Sequence, residues 1–488
     1  MRILVMGLAG ASPELLFGDD RLSNIRRLME GGCYGRLESV IPPTSVPTWM
    51  CMATSQDPGS LGVYGSRNRT DYSYNSMELV SSKSMQEIAI WDQIALEGKR
   101  ANLIGVPPSY PPRSVNGICV GCHLTPDTIM ETYTHPAAVT GEIAKLVGEY
   151  PLDVRDFRTD KKDWLKDKIY AMSRKRFHVV RHFLQNSEWD YFQFVEIGPD
   201  RLQHGFWQFH DPRHARYEPG NPYQEVIRDY YLYLDDELGR IFDALSDDTA
   251  ILVLSDHGAQ RLDGGFCVNE WLVKEGLLVL NEYPKEVTPF ARLSVNWNKT
   301  KAWSEGGYCA RVFFNVKGRE PSGTIDEVDY GKFRDELKAQ LEATVDDLGR
   351  SMGIRVVRPE EIYKRVRNVA PDLIACFGGF TWRAIGGVGY PTIHIRENDT
   401  GPDGCNHAQF GSFILAASNN PPSGEVEGAH LLDMAPTLLE LGGYGIPASM
   451  LGKSLVAGKT LGTGSETGFS AEEEEIIRER LSGLGYIS

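Results

Sequence analysis

The stretch Tyr191-Phe192-Gln193-Phe194-Val195-Glu196-Ile197-Gly198-Pro199-Asp200-Arg201-Leu202-Gln203-His204 decides the fold. Its first half is a short, mostly apolar run that ends at Gly-Pro, the length and composition of a buried strand. Pro199 then opens a helix, on which Asp200 and His204, four apart, share one face. A strand followed by a helix, with ligand-type side chains at the junction, points to an open parallel sheet. In such sheets ligands bind beyond the carboxyl ends of the strands.

Similar runs recur outward from this stretch at 3–8, 100–105, 250–255, 373–377 and 413–417. Between them lie amphipathic stretches with apolar residues every three or four positions, clearest at 164–185 and 225–244. The expected class is α/β, a doubly wound, mostly parallel sheet with helices on both faces. Residues 286–368 read differently, with a β-hairpin expected over 302–317 and a charged surface helix over 329–348. They are expected to form an inserted cap on a catalytic core made of 1–285 and 369–457. A Gly/Ser/Thr-rich linker and an acidic C-terminal helix are expected over 458–488.

The 488 residues include 51 Lys or Arg and 66 Asp or Glu, a formal net charge of −15. That balance argues against a nucleic-acid polymer or an anionic membrane surface as partner. It leaves room for a small phosphorylated substrate, because bound cations can invert the local field. Self-association into a homo-oligomer is left open. No signal peptide and no run of 18 apolar residues is visible, so a cytoplasmic location with free cysteine thiols is expected. Cys119 and Cys122 have C-x-x-C spacing but lack a second pair, and read as a plain strand-to-loop segment.

Three further polar clusters lie against strand-like runs. Ser255-Asp256-His257-Gly258 follows one, Gly404-Cys405-Asn406-His407 precedes another, and Pro42-Pro43-Thr44-Ser45-Val46-Pro47 sets a hydroxyl at the start of a helix. Taken singly, each has a plainer reading as a turn, a surface pair or a helix cap. Together, mixed Asp and His ligands suit Zn²⁺ or Mn²⁺. Two such metals could clamp a phosphoryl group while a hydroxyl attacks it.

This ordered set resembles the alkaline phosphatase superfamily, specifically its type I phosphodiesterase/nucleotide pyrophosphatase family. The matching segments are 42–62, 198–204, 255–258 and 406–411, with 431–439 and 450–454 similar to the closing helix and loop. The resemblance implies Ser45 as nucleophile, with Thr44 as local rival, and a phospho-Ser45 intermediate. It implies one metal held by Asp200, His204 and His407 and a second held in part by Asp256 and His257. Asn68 is the expected donor to a substrate phosphate, with Arg67 or Arg69 as alternatives. The implied substrate is a small nucleotide-type phosphodiester or pyrophosphate. A phosphomonoester, a phosphonate, or binding without turnover are the alternatives.

One position departs from the resemblance. The family carries a metal-ligand Asp after its first strand, where this chain has Gly7-Leu8-Ala9-Gly10. Ala9 cannot bind a metal, so the second site is expected to be weakened and Ser45 activation with it. An engineered substitution, a natural one-metal variant and a pseudoenzyme each account for it.

Overall fold

The computed structural model describes residues 1–418 and 423–456, of which Met1–Leu455 form one compact unit. The expected linker and C-terminal helix lie outside the described residues. In chain order the large sheet contains β1 (Arg2–Leu8), β2 (Cys33–Glu38), β3 (Ala101–Ile104), β4 (Cys119–Val120), β5 (Thr134–His135), β6 (Tyr191–Glu196), β7 (Thr249–Leu254), β8 (Phe410–Ala416), β9 (Gly424–Glu425) and β10 (Ala429–His430). The spatial order is β9-β2-β8-β7-β1-β6-β3-β4-β5, with β10 also on β2. The strands β7, β1, β6, β3 and β4 run parallel, whereas β8 lies antiparallel to both β7 and β2.

The central strand shows why this arrangement forms. Ile3, Leu4, Val5 and Met6 are all fully buried, the unbroken apolar run of a strand covered on both faces. The principal helices are α1 (Ser23–Glu30), α2 (Ser45–Thr54), α3 (Lys162–Asn186), α4 (Gly198–His210), α5 (Val226–Phe242) and α6 (Met434–Gly442). Helices α1, α3, α4 and α5 pack together, and α2 packs with α6. At Gly7 the fold needs a missing side chain: a Cβ there would sit 2.4 Å from the Trp49 ring. That close approach seats α2 against β1 at Trp49.

A second, four-stranded sheet takes Ala302–Glu305, Ala310–Phe314, Leu373–Cys376 and Arg355–Val357, in that spatial order. Its apolar cluster draws on residues from Phe266 to Ala384, on both sides of the 286–368 stretch. The run at 373–377 therefore departs from expectation, because it pairs with 310–312 and not with the large sheet. The expected hairpin forms between the first two of these strands, and the surface helix spans Tyr330–Glu342. The expectation of free thiols is corrected at one pair. Cys309 and Cys376 form a disulfide, while the six other cysteines are free and buried. No helix among the described residues is long and apolar enough to cross a membrane.

Candidate active site and metal set

Asp200 and His204 stand on the first two turns of α4, just past β6, on one helical face as their spacing predicts. His407 arrives from Cys405–Ala408, a short strand paired antiparallel with Gly258–Arg261. The ligand atoms of Asp200, His204 and His407 all lie within 4.8 Å of one another, and all three residues are buried. Both His204 Nε2 and His407 Nε2 are 3.4 Å from Asp200 Oδ1.

The remaining ring nitrogens fix the tautomers. His204 Nδ1–H donates to Asp403 Oδ1 at 2.8 Å, and His407 Nδ1–H donates to the Pro43 carbonyl at 2.6 Å. Each imidazole therefore turns its Nε2 toward Asp200. His407 Nε2 is buried and has no hydrogen-bond partner. A carboxylate and two inward Nε2 atoms, one of them orphaned, fit a divalent cation of the Zn²⁺ or Mn²⁺ type.

Charge inside the cluster is set by competition. Burial pushes the Asp200 carboxyl up, but the neighbouring His204 and Arg201 outweigh it and hold Asp200 well below the usual carboxylate range. Burial pulls His204 down, and the carboxylates of Asp403 and Asp200 overcome it, leaving His204 raised. Burial and the adjacent His257 hold His407 well below the ordinary imidazole value, so it stays a neutral ligand.

The other expected ligands, Asp256 and His257, follow β7 and are fully enclosed. Their polar atoms already have partners. Asp256 Oδ2 accepts from the Thr48 hydroxyl at 2.7 Å, and Oδ1 from the Gly10 N–H at 3.3 Å. His257 Nδ1–H donates to the Gly258 carbonyl, and Nε2 accepts from Ser45 Oγ–H at 3.0 Å. Ala9, fully buried beside them, offers only a methyl group. This second set does not fit the two-metal arrangement the resemblance implies: one carboxylate is missing and the remaining groups are hydrogen-bonded to protein.

Ser45 opens α2, and Thr44 is the residue capping it, although the Thr44 side chain makes no capping hydrogen bond. The His257 ring, which holds Ser45, stacks on His407 at 3.6 Å between centroids. One imidazole thickness thus joins the hydroxyl to the metal set. The structure brings Ser45, Asp200, His204, His407, Asp256 and His257 together and leaves Asn68 out. The Asn68 carbonyl oxygen accepts from the Tyr64 N–H, and its amide donates to the Gly65 carbonyl, closing the turn at 64–68. In the structure Asn68 thus serves this turn through its amide oxygen and one amide N–H.

Sequence reasoning did not find Asp403 or Tyr308. Asp403 is fully enclosed and ion-paired to Arg158 at 2.8 Å as well as to His204. The Tyr308 ring stacks on His407 at 3.4 Å, and its hydroxyl lies 3.5 Å from His204 Nε2. An acid four residues before His407 was the available signal for Asp403. Tyr308, in the hairpin turn, carries no local signal.

The pattern of the type I phosphodiesterase / nucleotide pyrophosphatase family matches residues 3–403. No curated protein matches the chain. Among solved structures, murine ectonucleotide pyrophosphatase / phosphodiesterase 5 aligns with a TM-score of 0.53 at 14% identity, covering 92% of this chain and 96% of that one. An inactive variant of the same murine protein, solved with AMP, aligns equally well. Phosphonoacetate hydrolase from Sinorhizobium meliloti 1021, solved with phosphonoformate, aligns with a TM-score of 0.59 at 15% identity, covering 90% and 95%. At such identities the structures share a fold, and the sequence pattern carries the kinship. Because that pattern runs from the first strand to the acid behind His204, the chain belongs to the type I phosphodiesterase/nucleotide pyrophosphatase family.

Proposed function

We propose that the chain hydrolyses a small, nucleotide-like phosphodiester or pyrophosphate through attack by Ser45. The observation that carries this reading is the Ser45 Oγ to His257 Nε2 hydrogen bond of 3.0 Å, with His257 stacked at 3.6 Å on a ligand of the metal set. Asp200, His204 and His407 would hold one divalent ion, Zn²⁺ or Mn²⁺, and its chemistry would be to polarise a phosphoryl oxygen. Ser45 Oγ forms the new bond to phosphorus as the bond to the leaving oxygen breaks, and the serine proton passes to His257 Nε2. Water then hydrolyses the phospho-Ser45 ester. Placement at the N-terminus of α2 favours the developing negative charge. The AMP complex of the murine neighbour supports a nucleotide-like substrate, and the phosphonate complex of the bacterial one supports phosphonate hydrolysis as the second reading.

With Ala9 in place of a carboxylate, turnover is slow and one ion is bound per chain. The test combines metal content with hydrolysis of bis-p-nitrophenyl phosphate for the chain and for Ala9→Asp. The expectation is one ion rising to two, with activity rising alongside it. Ser45→Ala in the Ala9→Asp background should remove that activity and the phosphoserine detectable by mass spectrometry. Activity that survives Ser45→Ala, or phosphate found on Thr44, would rule Ser45 out as nucleophile.

A further inference from the structure

A cavity of about 230 Å³ is lined by Thr44, the residue before Ser45, and by Tyr308, Arg311 and Arg383. Tyr308 is shared with the metal set, since its ring lies on His407. The arginines set this cavity apart. Among the described residues the other buried guanidinium groups are ion-paired: Arg69 with Glu320, Arg176 with Glu196 and Arg334 with Glu360. Arg311 is only 7% exposed, yet among the described residues no carboxylate lies within ion-pairing distance of it. Among the described residues its guanidinium makes one hydrogen bond, to the Arg67 carbonyl. Arg383 has Asp399 at 3.9 Å, the outer limit of an ion pair, and its Nη1 is buried without a hydrogen-bond partner. Its guanidinium carbon lies 4.9 Å from the centre of the Tyr308 ring.

The cavity also contains Glu305, which is engaged by Arg67 at 3.0 Å. Three arginines against one glutamate leave the lining at 3 − 1 = +2. Holding a charge such as that of Arg311 out of water without a counter-ion is unfavourable. The chain nevertheless makes room for one of them, because a Cβ on Gly65 would meet Arg311 Nη1 at 2.9 Å.

We propose that Arg311 and Arg383 form a subsite for a second acidic group on the substrate, a carboxylate or a further phosphoryl group, reached past Tyr308 from the reacting centre. A guanidinium pair suits either anion, because each can be held by paired N–H donors. This rests on the proposed function in placing the reacting phosphoryl group at Ser45, and it narrows the substrate class to compounds with two acidic groups. A pyrophosphate qualifies, as does a phosphonate bearing a carboxylate, whereas a simple diester with apolar arms engages the reacting centre alone.

The test is isothermal titration of the zinc-loaded full chain with methylphosphonate, phosphonoacetate and methylenediphosphonate, with bound zinc measured after each titration. The two diacids should bind about tenfold or more tightly than methylphosphonate, the gain of a charge-assisted contact. Arg311→Gln and Arg383→Gln should each remove most of that preference and leave methylphosphonate binding unchanged, and Arg311→Lys should restore part of it. The two substitutions lie on different strands, Ala310–Phe314 and Trp382–Ile385, so a folding defect in one leaves the other to decide. The stronger diacid tells a carboxylate from a second phosphoryl group. Equal affinity for all three compounds, a preference that survives both substitutions, or no binding of any compound overturns the subsite. Arginine-dependent binding of the diacids with no affinity for methylphosphonate keeps the subsite and counts against the reacting centre.

Discussion

Asp403 acts on the metal set through His204. Its carboxylate receives His204 Nδ1–H, Arg158 Nε–H, Asn398 Nδ2–H and the Cys405 backbone N–H, with donors at 2.8, 2.8, 3.1 and 3.0 Å. Such a carboxylate orients a ligand imidazole and raises its basicity. Asp403→Asn keeps the shape and loses the charge, so divalent-metal affinity should fall by about 10- to 100-fold. Competition with a chelating dye measures this, and unchanged affinity would mean that packing alone orients His204. Asp200, His204, Asp256, His257 and His407 are legible in the sequence because each stands against a strand-like run, where the chemistry of an open sheet collects. Arg311 and Arg383 have no such mark, for their meaning lies in the absence of a carboxylate partner, a three-dimensional property. Asn68 misleads for the opposite reason. It follows the nucleophile motif closely in sequence, but the turn at 64–68 takes up its amide.

The junction between strand and helix at this site is held by an ion pair. Glu196, the last residue of β6, is fully buried and meets Arg176 of α3, only 1% exposed, at 2.9 Å. The other Glu196 oxygen accepts from the Gly198 N–H and the Ser173 hydroxyl, tying α3 to the residue that starts α4. Removing one charge of such a pair leaves the other buried and uncompensated. Glu196→Gln should therefore cost about 3–5 kcal/mol of stability. Urea denaturation checks it, and a loss below about 1 kcal/mol would show that the pair only balances its own desolvation. Elements of the large sheet and its long helices are legible because burial on both faces writes a continuous apolar run. The strand at Leu373–Cys376 carries the same kind of run in the smaller sheet, and a short buried run does not record which sheet covers it.

Across the whole molecule the acidic excess of −15 coexists with several buried or half-buried histidines whose affinity for a proton is lowered. Loss of water around His123, with the charge of Arg201 adding to it, brings that imidazole down to about 4. Burial lowers His210, His214 and His430 as well. For a histidine whose native value lies below the unfolded one, the unfolded chain binds more protons between the two. The His123 contribution is therefore fully present above about pH 6.5 and is lost as pH falls toward 4. Unfolding free energy followed from pH 7 to 4 should drop less steeply in His123→Gln than in the parent chain, and parallel curves would remove His123 from the acid response. The position of β8 has a further consequence, for the order of synthesis. Because β8 lies between β7 and β2, antiparallel to both, a growing chain that has not reached residues 410–416 shows an open edge on β7 and a β2 without that neighbour. Unpaired edges of this kind invite pairing with other chains. Before residue 407 is made there is also no metal set to close. A chain stopped short of β8 would be a sticky half-sheet, not a shorter enzyme, and the last strand to join the middle of the sheet commits everything made before it.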